Sequence, residues 1–418
     1  MITRVRGTRD IFKAREFLEI AKITKKHLDQ YRFTQVILPS LESVELFKRA
    51  LGQETDVVSK EMFVVSSSSA DQKKEQICLR PEATAQMVRA FIENGVQDLP
   101  WKVFCIGSMF RYERPQKGRF REFYQCSLEV IGSASISEDI HLITMLDTLF
   151  SQKFNLTEYA LHINFLGCPE DRKQFKQKLY DFLNQHESAI CDTCKKRKEA
   201  NILRVFDCKS QDCHKVYKDA PHLTDDLCQA CATEWQQVQD RLEELSVSFV
   251  HNTKLVRGLD YYNKTIFEFV SPLLGAQSAF CGGGRYDSLV TLLGGKKDQP
   301  AIGAAIGLDR LDILLAETNS TLLEQQLSPL YVILPLEKDQ HPIALKLAQI
   351  LHTQGFCVDV LFDGSIKNMM RKSNKMGAQA VLLLGSDEQA QGTVMFKDMQ
   401  SGESQAVKQI DVSGLMKK

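Results

Sequence analysis

The sequence predicts an α+β fold in which an antiparallel sheet core, flanked by helices, carries an inserted helical subdomain and is followed by a small α/β domain. Residues 101–110 and 120–132 alternate apolar and polar side chains, which is typical of two paired strands. Charged, cysteine-rich helical patterns fill residues from about 168 to 250. After residue 328, apolar strands alternate with helices. We therefore expect one domain over 1–325 and a second over 328–418.

Length and composition describe an ordinary globular protein of more than one domain. The chain has 418 residues, of which 43% are hydrophobic and 25% are charged. Its 53 basic residues balance 53 acidic ones, so attraction to nucleic acid must come from local patches. No run of about 18 apolar residues is present, and the first residues are too charged for a signal peptide. We expect a cytoplasmic protein without a membrane partner.

The N-terminal elements follow from periodicity and turn residues. Residues 14–31 predict a helix with one buried face. Its apolar positions are Phe17, Ile20, Ala21, Ile23 and Leu28. Residues 33–42 predict a strand that ends at Pro39, and residues 61–65 and 76–80 predict two strands of a hairpin with a polar, loose tip.

The C-terminal segment has the pattern of a small α/β domain. Residues 330–336, 356–362 and 380–385 are apolar runs of strand length, and residues 343–354 have helical periodicity. A linker is expected near 318–328.

An arginine-rich stretch between the two central strands is the most informative part of the sequence. Its basic residues are Arg111, Arg114, Lys117, Arg119 and Arg121. Guanidinium groups match phosphate oxygens, so a loop that carries several of them predicts a phosphate ligand. Phe123 offers an aromatic face for a base. A solvated, charged hairpin explains the cluster equally well when it is taken alone.

The same stretch resembles the second signature of the class II aminoacyl-tRNA synthetases, Phe-Arg-x-Glu, a variable loop, then Arg-x-x-x-Phe. Residues 110–113 and 119–123 match it. Residues 303–311 are similar to the third signature, which places Arg310 on a helix, and residues 36–42 are similar to the weakly defined first. The resemblance implies the antiparallel catalytic sheet of that class.

Two further blocks, residues 79–85 and 255–268, resemble those particular to the histidyl-tRNA synthetase family. The resemblance covers essentially the whole chain. It implies ATP-dependent ligation of L-histidine to tRNA(His) through a histidyl-adenylate, with Mg²⁺ accompanying ATP. It also implies a homodimer that pairs around residues 36–47 and an anticodon-binding role for 328–418.

The resemblance implies an ATP site built from arginines. The implied contacts are Arg111 on the α-phosphate, Arg119 and Arg310 toward the other phosphates, Glu113 near the adenine and Phe123 stacked on the ring. Arg257 would lie on the opposite side of the α-phosphate, so Arg111 and Arg257 are the predicted catalytic residues. Cations placed in advance stabilise charge that concentrates in the transition state. Taken alone, Arg257 could equally belong to a surface ion pair.

The histidine contacts are also implied by the resemblance. Glu82, Thr84 and Gln125 would hold the ammonium group of the amino acid. The imidazole would be recognised by Glu129, Tyr261 and Tyr262. Because the two ring nitrogens need polar partners in fixed places, such a site would reject other side chains.

Two basic features are assigned to tRNA. The resemblance places Arg114, Gln116 and Lys117 at the acceptor end. In the C-terminal domain, basic residues recur at helical spacing and give one charged face. They are Lys367, Arg371, Lys372 and Lys375. A merely solvated helix would show the same pattern.

The glycine run Gly282 to Gly284 predicts a close approach of the backbone beneath the substrate. It does not fit a phosphate loop, because no Gly-x-x-x-x-Gly-Lys-Ser/Thr pattern is present. The class I synthetase signatures are absent as well.

Half of the twelve cysteines fall in the insertion, and their spacing suggests metal binding. We predict a structural zinc held by the two Cys-x-x-Cys pairs, Cys191 with Cys194 and Cys228 with Cys231. Reduced thiols without metal remain the alternative. The other six are predicted to be buried or half-buried packing residues: Cys78, Cys105, Cys126, Cys168, Cys281 and Cys357.

Two other functions are compatible with parts of the sequence. A regulatory paralogue from histidine biosynthesis, the ATP phosphoribosyltransferase regulatory subunit, shares the catalytic fold but generally lacks the C-terminal domain and departs from the arginine signatures. A nucleic-acid-binding module without catalysis would leave the ATP and histidine blocks unexplained. The sequence favours the ligase over both.

Overall fold

The computed structural model describes residues 2–12, 14–52, 55–66, 76–208, 210–259, 261–275, 278–318 and 328–417. The chain divides into two compact units, Met1–Leu323 and Glu324–Lys418, and each is described by itself. The predicted linker and the predicted hairpin tip fall largely outside the described residues. Among the described helices, none combines the length and apolar character needed to cross a membrane.

The first unit is built on one large mixed sheet and one small sheet. Its strands are β1 (Thr34–Gln35), β2 (Leu41–Ser43), β3 (Val64–Val65), β4 (Ile77–Leu79), β5 (Trp101–Phe110), β6 (Glu122–Ile131), β7 (Ala160–Phe165), β8 (Val250–His251), β9 (Asn263–Val270), β10 (Ala279–Arg285) and β11 (Ala301–Gly307). Eight strands form the large sheet in the order β1-β5-β6-β11-β10-β9-β7-β8, and β2-β4-β3 form the small one. The outer pairs β1–β5 and β7–β8 are parallel, and all others are antiparallel.

Helices cover the large sheet. They are α1 (Ala14–Gln30), α2 (Val44–Leu51), α3 (Thr84–Glu93), α4 (Ile136–Thr148), α5 (Pro169–Gln185), α6 (Asp192–Ala200), α7 (Gln211–Val216), α8 (Gln229–Glu244), α9 (Leu289–Leu292) and α10 (Leu308–Glu317). The predicted N-terminal helix is confirmed as α1. Its buried face includes two polar residues that the apolar pattern missed, Thr24 and His27, and each bonds to a main-chain carbonyl.

The central antiparallel pair is confirmed, with strand bounds close to those predicted. Phe110 lies opposite Glu122, so residues 111–121 form the connection between β5 and β6. The predicted strand over 33–42 is wrong in extent, because only β1 and β2 are strands there. Pro39 has no N–H to donate to a ladder, and the chain leaves the large sheet before it and joins the small sheet after it.

The predicted insertion is confirmed as helices α5 to α8 between β7 and β8. It does not form a separate core. Trp235 and Leu242 of α8 pack in the same apolar cluster as Leu128 of β6, and Leu179 of α5 packs with Ile266 of β9. The helical insertion is therefore part of the first unit.

The second unit has the predicted α/β character with a mixed sheet. Its elements are β12 (Leu330–Pro335), α11 (His341–Thr353), β13 (Cys357–Val360), α12 (Ile366–Lys375), β14 (Ala378–Leu384), α13 (Ser386–Gln391), β15 (Thr393–Asp398) and β16 (Ser404–Lys408). The sheet order is β13-β12-β14-β15-β16. The first three strands are parallel and are those predicted; β15 and β16 add an antiparallel hairpin that the sequence pattern did not reveal.

Candidate functional site

A cavity of about 200 Å³ opens on the large sheet of the first unit, between the β5–β6 connection and the start of α10. It brings together most of the residues that the sequence predicted for ATP and histidine. These are Glu82, Thr84, Arg111, Glu113, Arg119, Phe123, Gln125, Arg257, Tyr261, Tyr262 and Arg310. We call this cavity the central pocket.

Arg111 lies where β5 ends and the connection begins. Its Nε donates to the carbonyl of Pro81 at 2.9 Å, and its guanidinium carbon lies 5.5 Å from the ring centroid of Phe123. Burial lowers the pKa of Arg111, while the carboxylates of Glu61 and Glu82 act in the opposite direction. The guanidinium is thus held in place but only partly compensated in charge.

Arg119 returns the connection toward β6 through a tight turn. Main-chain hydrogen bonds join Gln116 and Arg119, and Gly118 between them has a φ of +69°, which favours glycine. Arg119 forms an ion pair with Glu113 and lies 3.8 Å from a carboxylate oxygen of Glu61. The predicted adenine contact, Glu113, is therefore paired with a predicted phosphate contact.

Arg310 stands on the first turn of α10, as the third signature implied. Its Nε donates to the carbonyl of Gly118 at 3.0 Å, and it also donates to the carbonyl of Ala279. Burial lowers the pKa of Arg310 to about 10, and the neighbouring cations Arg119 and Arg111 contribute to the shift. The carboxylates of Glu113 and Glu61 therefore offset only part of the positive charge on this side of the pocket.

The start of α10 is fixed by residues that the sequence analysis did not single out. Asp309 accepts the main-chain N–H of Tyr124 at 2.5 Å and forms an ion pair with Arg9 at 2.7 Å. Asp309 directly precedes Arg310, and Arg9 belongs to the N-terminal segment before α1. Asp309 could have been identified from the sequence, because it is adjacent to the arginine of the third signature.

Arg257 lies over the strand pair β9 and β10. It forms an ion pair with Glu268, which stands opposite Gly282 in the register of these strands. A Cβ at Gly282 would lie 2.5 Å from Nη1 of Arg257, so this glycine leaves room for the arginine side chain, and the predicted approach to the substrate stays a prediction. Burial acts to lower the pKa of Arg257, but Glu268 and two tyrosines raise it overall. The ion pair is inside the pocket, so the surface alternative is wrong.

Glu82 faces the pocket at the start of α3. Its carboxylate accepts the main-chain N–H groups of Thr84 at 2.7 Å and Ala85 at 2.9 Å. Burial raises the pKa of Glu82, although both hydrogen bonds favour the charged form. The Glu82 carboxylate therefore lies in the wall of the pocket, where a bound cation would stabilise its charged form.

Glu129 does not form part of the pocket lining, unlike the other predicted histidine contacts. It is 1% exposed and lies beneath the pocket, where it accepts from the Thr84 hydroxyl at 2.7 Å and the Tyr286 hydroxyl at 2.5 Å. Gly303 faces it from β11, where any Cβ would overlap the carboxylate. Burial raises the pKa of Glu129 to about 8.

Three tyrosines surround this carboxylate. The ring centroids of Tyr261 and Tyr262 are 4.6 Å apart, and those of Tyr261 and Tyr286 are 5.5 Å apart. Burial raises the pKa of all three, so their hydroxyls are neutral donors and acceptors near pH 7. Tyr286 was missed, although it follows the glycine run and β10 directly.

The residues predicted for the tRNA acceptor end lie outside the pocket lining. Arg114, Gln116 and Lys117 are exposed on the β5–β6 connection. Lys117 forms a 2.7 Å ion pair with Glu317 at the end of α10. They lie on the same connection as two pocket arginines and are available to a large ligand.

In the second unit, the predicted basic face is present on α12. Lys367, Arg371, Lys372 and Lys375 are all exposed. Met369 and Ser373, on the opposite side of the helix, are buried.

The structure contradicts the predicted metal ligands. Cys191 and Cys194 do not meet Cys228 and Cys231. They lie instead with Cys208 and Cys213, while Cys228 and Cys231 lie with Cys168 and Asp171. The sequence pattern could not tell which pairs meet, because both Cys-x-x-Cys pairs begin helices with the same local geometry.

For the six remaining cysteines, the predicted burial can be compared with the burial in the structure. Cys78, Cys105, Cys126 and Cys281 are buried, as predicted. Cys168 is half-buried, which also agrees with the prediction, and its sulfur accepts the N–H of Asp171 at the start of α5. Cys357 is exposed, so the prediction for it is wrong.

Comparisons with known proteins agree over the length of the chain. Residues 8–311 match the family model described as histidyl-tRNA synthetase, and residues 331–418 match the anticodon binding domain. The histidine–tRNA ligase of Nitratidesulfovibrio vulgaris is 41% identical over 412 residues, covering 97% of this chain and 96% of the relative. That of Aquifex aeolicus is 39% identical, covering 97% and 98%. The crystal structure of apo S. aureus histidyl-tRNA synthetase is similar with a TM-score of 0.81 and 28% identity, and all of each chain is covered.

Proposed function

The chain belongs to the histidyl-tRNA synthetase family, and we propose that its central pocket makes histidyl-adenylate from L-histidine and ATP before histidine passes to tRNA(His). One observation carries the proposal: four arginines and a group of buried carboxylates and tyrosines converge on one cavity. The arginines suit a polyphosphate, and the carboxylates and tyrosines suit an amino acid with a polar side chain. The chain is an aminoacyl-tRNA ligase, and we place its reaction in the cytoplasm.

We assign the arginine side of the pocket to ATP. The lowered pKa values of Arg111 and Arg310 reflect burial next to other cations, and a bound triphosphate would supply the missing negative charge. The ring of Phe123, next to Arg111, would stack on the adenine. Glu113 would contact the adenine and would also orient Arg119 through their ion pair. Mg²⁺ would be carried by the phosphates, because Glu113 and Glu268 are both paired with arginines.

We assign the opposite side to histidine. Glu82, Thr84 and Gln125 would receive the ammonium group, and the burial that raises the pKa of Glu82 would be offset by that cation. Tyr261 and Tyr262 would contact the imidazole directly. Glu129 would act from beneath the pocket, through its hydrogen bonds with Thr84 and Tyr286.

The two reaction steps follow from this arrangement. In the first, a carboxylate oxygen of histidine attacks the α-phosphorus and pyrophosphate leaves. Arg111 and Arg257 would stabilise the charge that develops there, and Glu268 keeps Arg257 charged and oriented. In the second, a ribose hydroxyl of the terminal tRNA nucleotide attacks the carbonyl carbon of histidine and AMP leaves. Arg114, Gln116 and Lys117 would hold the acceptor end.

We assign residues 1–325 to catalysis and 328–418 to anticodon binding. The second assignment rests on the matched domain and on the exposed basic face of α12. Four exposed cations on one helix are suited to phosphate contacts, which position RNA without reading its sequence.

We propose that the protein acts as a homodimer that pairs around residues 36–47. Large apolar side chains are exposed there, with Ile37 93% exposed and Leu41 52% exposed. Val64, on β3 of the same small sheet as Leu41, is 60% exposed. Exposed large apolar side chains of this kind are typical of an interface. Sedimentation at micromolar concentration should show a dimer, and a fully active monomer would overturn the assignment.

The regulatory paralogue is not favoured. A solved structure described as an ATP phosphoribosyltransferase regulatory subunit/histidyl-tRNA synthetase from Bacillus halodurans is 17% identical with a TM-score of 0.64, which shows only a shared fold. The relatives at about 40% identity are histidine–tRNA ligases over nearly their whole length.

Aminoacylation tests the proposal as a whole. The purified chain should attach labelled histidine to a tRNA(His) transcript, and omission of ATP or replacement by another tRNA should abolish the signal. A folded protein that binds histidine but leaves the transcript uncharged would contradict it.

A further inference from the structure

Four cysteines of the insertion meet at one point although they come from distant parts of its sequence. Cys191 and Cys194 begin α6, Cys208 follows a short 3₁₀ segment over Ile202–Asp207, and Cys213 lies on α7. All four sulfur atoms lie within 4.8 Å of one another. Cys194, Cys208 and Cys213 are buried, and Cys191 is half-buried. We call this group the four-cysteine cluster.

The spacing of the sulfur atoms fits a tetrahedral metal. A zinc ion bound to four thiolates at about 2.3 Å requires sulfurs roughly 3.8 Å apart, because that is the edge of the tetrahedron. The measured separation of the Cys191 and Cys208 sulfurs is 3.8 Å. A disulfide would need a sulfur separation of about 2.05 Å. The cluster therefore has the dimensions of a metal site.

Main-chain N–H groups point at the sulfurs in the way that thiolates require. The N–H of Cys191 lies 3.2 Å from the sulfur of Cys213, and the N–H of Ser210 lies 3.4 Å from that of Cys208. Such donors favour a negative sulfur and orient it toward a metal.

We propose that Cys191, Cys194, Cys208 and Cys213 bind one structural Zn²⁺ ion. Four thiolate ligands complete the coordination of zinc and leave no open position for a substrate, so the ion stabilises the fold and takes no part in chemistry. The metal site itself does not depend on the proposed function of the central pocket; only its expected effect on adenylate formation rests on that function.

The second group of potential ligands is less suited to a metal ion. It consists of Cys168, Asp171, Cys228 and Cys231. Both carboxylate oxygens of Asp171 already accept main-chain N–H groups, those of Cys168 at 3.2 Å and Cys228 at 3.0 Å. Cys228 is exposed. These contacts explain the group as a link between the starts of α5 and α8, and it serves as an internal control.

The ion would also support the catalytic side of the pocket. Arg204, in the segment between Cys194 and Cys208, donates to the carbonyl of Gly258, the residue after Arg257. Its own carbonyl accepts from Arg197 of α6 at 3.1 Å. Fixing both ends of this segment would hold Arg204 against the loop that carries Arg257, so metal loss should slow adenylate formation as well as lower the melting temperature.

Metal analysis of the full chain tests the proposal. Protein purified under reducing conditions, without a metal-affinity step, should lose one equivalent of zinc per chain when Cys208→Ser or Cys213→Ser is introduced. Cys228→Ser is the matched control and should keep that equivalent. Zinc that is absent from the parent, or that is lost in Cys228→Ser but kept in Cys208→Ser, would overturn the proposal.

A spectroscopic test avoids variants that fail to fold. Replacing zinc by Co²⁺ in the unmodified protein should give the intense sulfur-to-cobalt charge-transfer absorption of four thiolates in a tetrahedral site. The same spectrum should appear in the Cys228→Ser protein. A weak spectrum typical of oxygen ligands, or oxidised cysteines by mass spectrometry of freshly reduced protein, would contradict the assignment.

Discussion

The two sides of the central pocket differ in how their charge is arranged. On the ATP side, burial lowers the pKa values of Arg111 and Arg310, and nearby carboxylates compensate their positive charge only in part. On the histidine side, Glu82 and Glu129 are buried carboxylates, and their pKa values are raised. Each side lacks the charge that its proposed ligand would bring. The free pocket is therefore electrostatically incomplete on both sides.

This difference suggests two ways of using binding energy. Charge placed in advance favours the transition state of a reaction that joins two anions. Neutral hydroxyls and carboxylates with fixed hydrogen bonds instead discriminate among ligands, because a wrong side chain leaves them without partners. The arginine side should thus govern the rate of adenylation, and the tyrosine side should govern the choice of amino acid.

The largest effect is expected from Arg257→Ala. Loss of one preorganised donor at a reacting centre typically costs about 10²- to 10³-fold in rate, and adenylation in single-turnover measurements should fall by that amount. Transfer from preformed adenylate should suffer less, because charge at phosphorus is then being relieved. Equal losses in both steps would indicate a positioning role, and unchanged adenylation would refute the assignment.

Tyr286→Phe probes the opposite side with minimal change in shape. It removes the hydroxyl that donates to Glu129 at 2.5 Å, and an unmet buried hydrogen bond costs about 1–3 kcal/mol. The KM for histidine should rise roughly tenfold or more while the KM for ATP stays constant. A parallel increase for both substrates would show that the two sides are not separate.

A smaller effect is expected outside the pocket, from Lys117→Ala. This exposed residue is proposed to contact the acceptor end of tRNA, so the KM for tRNA should rise a few-fold without any change in adenylation. Arg241→Ala, which removes an exposed cation of a similar ion pair on α8, is the control. An equal KM for tRNA in the two variants would show that Lys117 does not contact the RNA.

The last prediction concerns how the stability of the protein depends on pH. Burial raises the pKa of Glu129 from its ordinary 4.5 to about 8, so the folded state holds this proton more tightly than the unfolded state does. The stabilisation is complete below the unfolded pKa and is lost as the pH rises toward the folded one. The melting temperature of Glu129→Gln, relative to the parent, should therefore rise between about pH 5 and about pH 8. A constant difference would show that Glu129 is ionised throughout.

The fold was predictable where one local pattern decides an element. The alternation along β5 and β6 identified both strands, and the helical period identified α1. The short strands around Pro39 were not predictable, because two or three residues of strand carry almost no periodic signal. The hairpin of β15 and β16 was missed because β16 is largely exposed, so it has no apolar alternation that would identify a strand.

The site was predictable where residues belong to a motif, and less so where contacts cross the sheet. The signature arginines lie together as expected. Glu268, Tyr286 and Asp309 were missed because their partners are brought to them by strand register and by the start of α10. The cysteines show the same limit: their spacing predicted metal binding, but only the fold determines that Cys208 and Cys213 meet Cys191 and Cys194.

Amino-acid-dependent exchange of pyrophosphate into ATP tests the central claim most directly, since it measures adenylation without tRNA. The central pocket predicts exchange with histidine and essentially none with the other standard amino acids. In the Tyr286→Phe protein, the ratio of exchange with histidine to exchange with other amino acids should be smaller. No exchange by correctly folded protein, or comparable exchange with several amino acids, would contradict the account.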